Sequence, residues 1–172
     1  MIDWQAIIEE HGPAVWQTAH RLLGNHEDAA DCFQETFVSA LAVGRRQRVR
    51  NFSALLTRLA TARAIDQLRR RFRQSGCGRS TDDASAVEEH KAPCPAEQVQ
   101  QRELADRVRQ VLYQLPAQEA QVFCLRYMNG MSYQEIAGAL GISTNAAGVV
   151  LHRARARLRE LFELSAREQE RG

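Results

Sequence analysis

Apolar residues recur at helical spacing along most of this chain, and they fall into two blocks separated by a stretch without periodicity. In the first block, Trp4, Ile7 and Ile8 mark one helix. Pro13 is placed to open a second, which carries Val15, Trp16, Ala19, Leu22 and Leu23 and stops at Gly24. A third is predicted to start at an Asn25 N-cap, with Glu27 and Asp28 favoured in its first turn by the helix dipole. Its stripe Ala29, Phe33, Phe37, Ala40 and Leu41 runs until Gly44, and its other face carries Asp28, Asp31, Gln34 and Glu35. After an arginine-rich loop from Gly44 to Asn51, a fourth helix from about Ser53 turns Leu55, Leu56, Leu59, Ala62, Ile65 and Leu68 inward. The expectation is a bundle of about four helices, with Trp4 and Trp16 in its core.

Residues 75–95 are rich in Gly, Ser, Asp, Glu and Pro and read as a linker. A structureless stretch of that length is uncommon inside one compact domain, so two domains are expected, 1–74 and 96–172. The second block opens with a helix from Glu97 to Leu115. Pro116 starts the next, which Asn129-Gly130 ends in a left-handed turn. Ser132 and Glu135 then form a capping box for a short helix to Leu140. Gly141, Ile142 and Ser143 make a tight turn, and a long helix follows from about Thr144 to Phe162. Small Ala137, turn Gly141 and apolar Ile136, Leu140, Ile142, Ala147 and Leu151 are what two closely crossing helices need. A bulky residue at Ala137 would hold them apart, and a Cβ at Gly141 would oppose a positive φ. The fold class is therefore all-α, with a helical bundle followed by a helix-turn-helix. The long helix suits a DNA major groove.

Composition supports two real cores: 44% of residues are hydrophobic and 26% charged, outside the disordered range. No apolar run is long enough for a membrane span and the first ten residues lack a leader pattern, which predicts a cytoplasmic protein. The net charge of +2 conceals an uneven distribution, with an acidic segment over 76–95 between mildly basic blocks. Lys91 is the one lysine; the arginines cluster at 45–50, 69–73 and 153–159. Arginine suits phosphate and base-edge recognition through its planar fork, although such runs also serve as solvated helix faces. Cys32 and Cys124 are expected as small core residues. Cys77 and Cys94, with His90 between them, leave a redox or zinc role conceivable at a spacing that matches no standard zinc module. No nucleophile–base pair or phosphate loop is present, so neither catalysis nor a cofactor or metal is expected.

The patterns Glu27-Asp28-Ala29-x-Asp31-x-x-Gln34-Glu35-x-Phe37 and Ile65-Asp66-x-Leu68-Arg69-Arg70, followed by Leu115-Pro116 and a helix-turn-helix ending His152-Arg153-Ala154-Arg155, occur in that order. Together they resemble an extracytoplasmic-function sigma factor of bacterial RNA polymerase, over nearly the whole chain. The resemblance implies that Asp28, Asp31, Gln34 and Glu35 dock on the polymerase β′ clamp helices, with the β flap a further contact. It implies that Arg45, Arg46, Arg48, Arg50, Asn51, Phe52, Arg63, Asp66, Arg69 and Arg70 open and read the minus ten element. Ser143, Thr144, Asn145, Gly148, His152, Arg153, Arg155 and Arg157 would read the minus thirty-five element as duplex. It also implies sequestration by an anti-sigma factor. Two departures matter. Leu55-Leu56 and Thr61-Ala62 stand where the family usually has Trp-Leu and Arg-Asn, and Asn145 to Val150 lacks the charged residues common in the recognition helix. Promoter preference therefore does not transfer. The missing aromatic and amide also keep open a helical decoy for an anti-sigma factor, and the helix-turn-helix alone would suit an autonomous regulator.

Overall fold

A computed structural model describes residues 2–74 and 95–170, with side chains over 2–74 and 98–167. Among the described residues the chain is all-α: α1 Trp4–Leu23, α2 His26–Arg46, α3 Phe52–Gln74, α4 Pro95–Leu112, α5 Ala117–Tyr127, α6 Tyr133–Leu140 and α7 Thr144–Glu170. Residues 75–94, with the expected linker and both Cys77 and Cys94, lie outside the described residues.

The first half has three helices where four are predicted. Pro13 does not open a new helix but sits inside α1. An internal proline loses one backbone hydrogen bond and strains the preceding turn, about 3 kcal/mol in an isolated helix. Packing offsets this, because Gly12 is buried beside the Phe33 ring and Val15 lies in the bundle core. Gly44 likewise does not stop α2, which continues to Arg46. A Cβ there would come within 3.0 Å of Trp4 Cζ2, so the glycine serves close helix contact. Trp4 and Trp16 are half-buried, Trp4 edge-on to Phe52 and Trp16 edge-on to Phe33.

α4 ends at Leu112 where Leu115 is predicted, and α7 runs past Phe162 to Glu170, but the capping and turn signals fold as read. Asn25 caps α2 by accepting from the Asp28 amide, and Gly24 ends α1 at φ 77°. The Ser132–Glu135 capping box is complete: the Glu135 amide donates to Ser132 Oγ at 3.2 Å, and the Ser132 amide donates to Glu135 Oε2 at 2.7 Å. Those hydrogen bonds, the backbone one first, lower the Glu135 pKa. Gly141 takes φ 66° between α6 and α7, and the core beneath holds Ile136, Ala147 and Leu151 with Leu140 and Ile142 at its edge.

The two halves meet in one core. Ala19, Leu22, Leu23, Ala64, Ile65 and Leu68 of α1 and α3 pack with Val111, Leu112, Leu115, Ala120 and Cys124 of the second half. Phe72 stacks on Tyr113 at 4.3 Å. Polar groups finish the seam. Arg109 of α4 donates to the Leu22 and Arg21 carbonyls at the C-terminus of α1, where the helix dipole favours a cation. Asn129 donates to Thr18 Oγ1 at 2.7 Å and accepts from Thr61 Oγ1 at 3.4 Å. Cys32 and Cys124 are buried, and burial pushes their thiols up to about 11 and about 12.

Candidate nucleic-acid interface

Three surfaces carry the residues singled out from sequence. On α2, the inward stripe Ala29, Cys32, Thr36, Phe37 and Ala40 leaves Asp31, Gln34 and Glu35 exposed on the opposite side. Val38, one turn further along α2, joins them at 67% exposure, so this acidic face has an apolar edge. Sequence reasoning missed Val38; its place outside the inward stripe was the available signal. Asp28 is drawn away from this set. It accepts from Asn25 at the helix start and pairs with Arg71 at 3.3 Å.

The minus ten candidates divide. Arg45, Arg46, Arg48 and Arg50 are exposed at the end of α2 and in the segment after it. Asn51 accepts from the Ala54 amide at 2.9 Å and so begins α3, while Phe52 is half-buried against Trp4. On α3, Asp66 and Arg70 are exposed. Arg63 instead reaches Ser39 Oγ at 3.0 Å and Glu35 at 3.9 Å. Arg69 turns to the second half, donating to the carbonyls of Leu115 at 2.7 Å and Tyr113 at 3.4 Å.

The minus thirty-five candidates are brought together. Ser143 caps α7 by accepting from the Ala146 amide at 3.1 Å. Thr144, Asn145, Gly148, His152 and Arg153 line one shallow groove, joined by Tyr133 of α6 and by Val149. Neither of the last two was singled out. Tyr133 follows the capping serine and faces outward while Ile136 and Ala137 turn in, and the Arg126 guanidinium lies over its ring at 5.2 Å. Arg155 is exposed, whereas Arg157 pairs with the buried Glu119 at 3.3 Å. Among the described residues no cluster of metal-ligating side chains occurs, and no helix is long and apolar enough to cross a membrane.

A bundle with an exposed acidic face, followed by a helix-turn-helix with an open groove edged by Arg153, is the layout of the sigma-70 class. Residues 7–74 match sigma-70 region 2 and residues 105–158 match sigma-70 region 4. The chain is 28% identical to the ECF RNA polymerase sigma factor SigE of Mycolicibacterium smegmatis, over 93% of its own length and 62% of that relative. It is 32% identical to the RNA polymerase sigma factor CnrH of Cupriavidus metallidurans, over 91% of this chain and 85% of that one. The structure of CnrH in complex with the cytosolic domain of CnrY superposes with a TM-score of 0.60 at 27% identity, covering 94% of this chain and 88% of that chain. The protein belongs to the extracytoplasmic-function sigma factors of the sigma-70 family. Members of this family are transcription initiation factors and not enzymes.

Proposed function

We propose that this chain binds core RNA polymerase in the cytoplasm and directs it to promoters, with the two halves acting as separate readers joined by residues 75–95. The carrying observation is that one chain presents both an exposed acidic face on α2 and an open groove on α6 and α7. Asp31, Gln34 and Glu35, with Val38 at their edge, suit a basic partner surface with an adjoining apolar spot, the role of the β′ clamp helices. The exposed arginines at 45–50, with Asp66 and Arg70, hold and read the single strand at the minus ten element. Thr144, Asn145, His152 and Arg153 face the duplex further upstream.

Engaging both elements requires a conformational step. Elements about 25 base pairs apart lie about 85 Å apart at 3.4 Å per pair. A compact chain of this length has a radius of gyration of only about 16 Å. The shared core must therefore part before both elements are engaged. CnrH in complex with the cytosolic domain of CnrY supports the reading that a protein partner seats on this fold, and an anti-sigma factor is the partner proposed to control that step here.

Run-off transcription with core polymerase on genomic fragments tests the function: discrete starts that require this chain are expected. Asp31→Arg with Glu35→Arg abolishes core binding without loss of helical signal. Undiminished binding would refute the docking face.

A further inference from the structure

We propose that Val149 reads the methyl group of a thymine in the upstream duplex element. This inference rests on the reading of α7 as the duplex-facing helix and names one base group that it selects.

Val149 is 44% exposed in the second turn of α7. The core takes Ala147, Leu151 and Ala154 from this helix and leaves Val149 outside. A β-branched residue is also a poor choice for helix propensity alone, so neither packing nor helix formation explains it. Its neighbour Gly148 points the same way. A Cβ built there meets nothing within 4 Å, and the residue is not at positive φ. A glycine that costs helix stability without any local need leaves the helix surface low beside Val149 and lets a groove floor approach. Tyr133, held by Arg126, adds an apolar wall, while Asn145, His152 and Arg153 form a polar rim.

The chemistry of the major groove narrows the occupant. Its base edges offer donors and acceptors, except that thymine adds a methyl group. A valine gains from that methyl. Against the amino group of a cytosine it would strand a desolvated donor. The exposed arginines on the same helix suit the phosphates on either side.

The test uses holoenzyme reconstituted from core polymerase and the full chain, and selects from duplexes randomised over the upstream element. One invariant thymine column is expected. Replacing that thymine by deoxyuridine removes only the methyl group and should weaken binding about fourfold, the value of one buried methyl-sized group. With Val149→Ser, thymine and deoxyuridine should bind alike, which isolates the pair. An upstream motif without an invariant thymine, or wild-type binding indifferent to deoxyuridine, overturns this proposal and leaves the sigma-factor reading standing. A Val149→Ser variant that keeps the wild-type preference overturns it as well, and assigns the valine to contact with a protein partner. No polymerase-dependent enrichment at all overturns both readings.

Discussion

Arg69 and Arg153 both belong to arginine clusters, both resemble DNA-reading positions of the family, and the structure treats them differently. Arg69 bridges from α3 to the Leu115 and Tyr113 carbonyls of the other half. Arg153 stands exposed on an open groove of α7. The wider surfaces follow the same division. Around α3, Arg63 and Arg71 are also engaged with Ser39, Leu23 and Asp28, and Thr61 is buried on Asn129. Thr61 is one of the two positions where the usual Arg-Asn is replaced. The first reader is thus partly tied up, by Arg63 and Arg71 within its own bundle and by Arg69 and Thr61 against the second half, whereas Arg153 of the second is free to meet duplex. An arginine run in a sequence does not distinguish these cases; a carbonyl within reach does.

The largest expected effect tests whether the halves share one cooperative core. Leu115 is fully buried in it. Leu115→Ala should lower the free energy of unfolding by about 2 to 5 kcal/mol. Both tryptophans, Trp4 and Trp16, lie in α1 of the first half. Their fluorescence should nevertheless report an earlier urea midpoint for this substitution in the second half. An unshifted tryptophan transition would mean that the halves unfold independently.

Much of this organisation was legible from sequence wherever the cause is local. The Asn25 cap, the Ser132–Glu135 box and the positive φ of Gly141 depend on residues within a few positions of one another, and the burial of Ile136, Ala147 and Leu151 on the spacing within one contiguous helix-turn-helix. Pro13 and Gly44 were misread as boundaries because packing against Phe33 and Trp4, supplied from elsewhere in the chain, overrides their local preference. The seam was not legible at all. Asn129 reads locally as a turn residue, and only the fold brings it to Thr18, 111 positions away. Val38, Tyr133 and Val149 were missed for a related reason. Each lies outside the inward stripe of its helix, and an apolar side chain there shows what it faces only once the helices are packed.

A middle-sized effect separates the two roles of the seam. Arg69→Ala and Asn129→Ala each remove hydrogen bonds between the halves, at about 1 to 3 kcal/mol when buried partners are left behind. Both should ease separation. In a chain with Cys77 and Cys94 changed to Ser, Cys124 in the shared core should be alkylated faster in either variant. Burial holds its thiol at about 12, and opening returns it toward the ordinary 9.0. Cys32, which donates to the Ala60 carbonyl between α2 and α3, should stay protected. Promoter opening should fall only with Arg69→Ala. Equal loss with Asn129→Ala would make Arg69 a structural residue.

Both thiols also fix the sign of an alkaline effect. Their folded values lie above the ordinary 9.0, so the native state holds these protons more tightly than the unfolded chain. That contribution is fully present below pH 9 and is lost between about 9 and 12. Urea midpoints should fall as pH rises through this window. Cys124→Ala, despite its cavity, should flatten the decline.

The smallest expected effect concerns the open face. Gly148→Ala places a methyl group where nothing lies within 4 Å. It also replaces a poor helix former with the best one, so stability should rise by about 0.5 to 1 kcal/mol. For a chain of this size the melting temperature would gain about 1 to 4 °C. The same methyl raises the helix surface beside Val149 and should weaken binding to the upstream duplex while core polymerase binding stays unchanged. Stability and DNA affinity would then move in opposite directions at a single position, as expected where a surface is shaped for a ligand and not for the fold. A variant that is more stable and binds duplex as well as the parent would show that the low surface at Gly148 has no part in reading DNA. In that case the contrast with α3 would rest on Asn145, His152 and Arg153 alone.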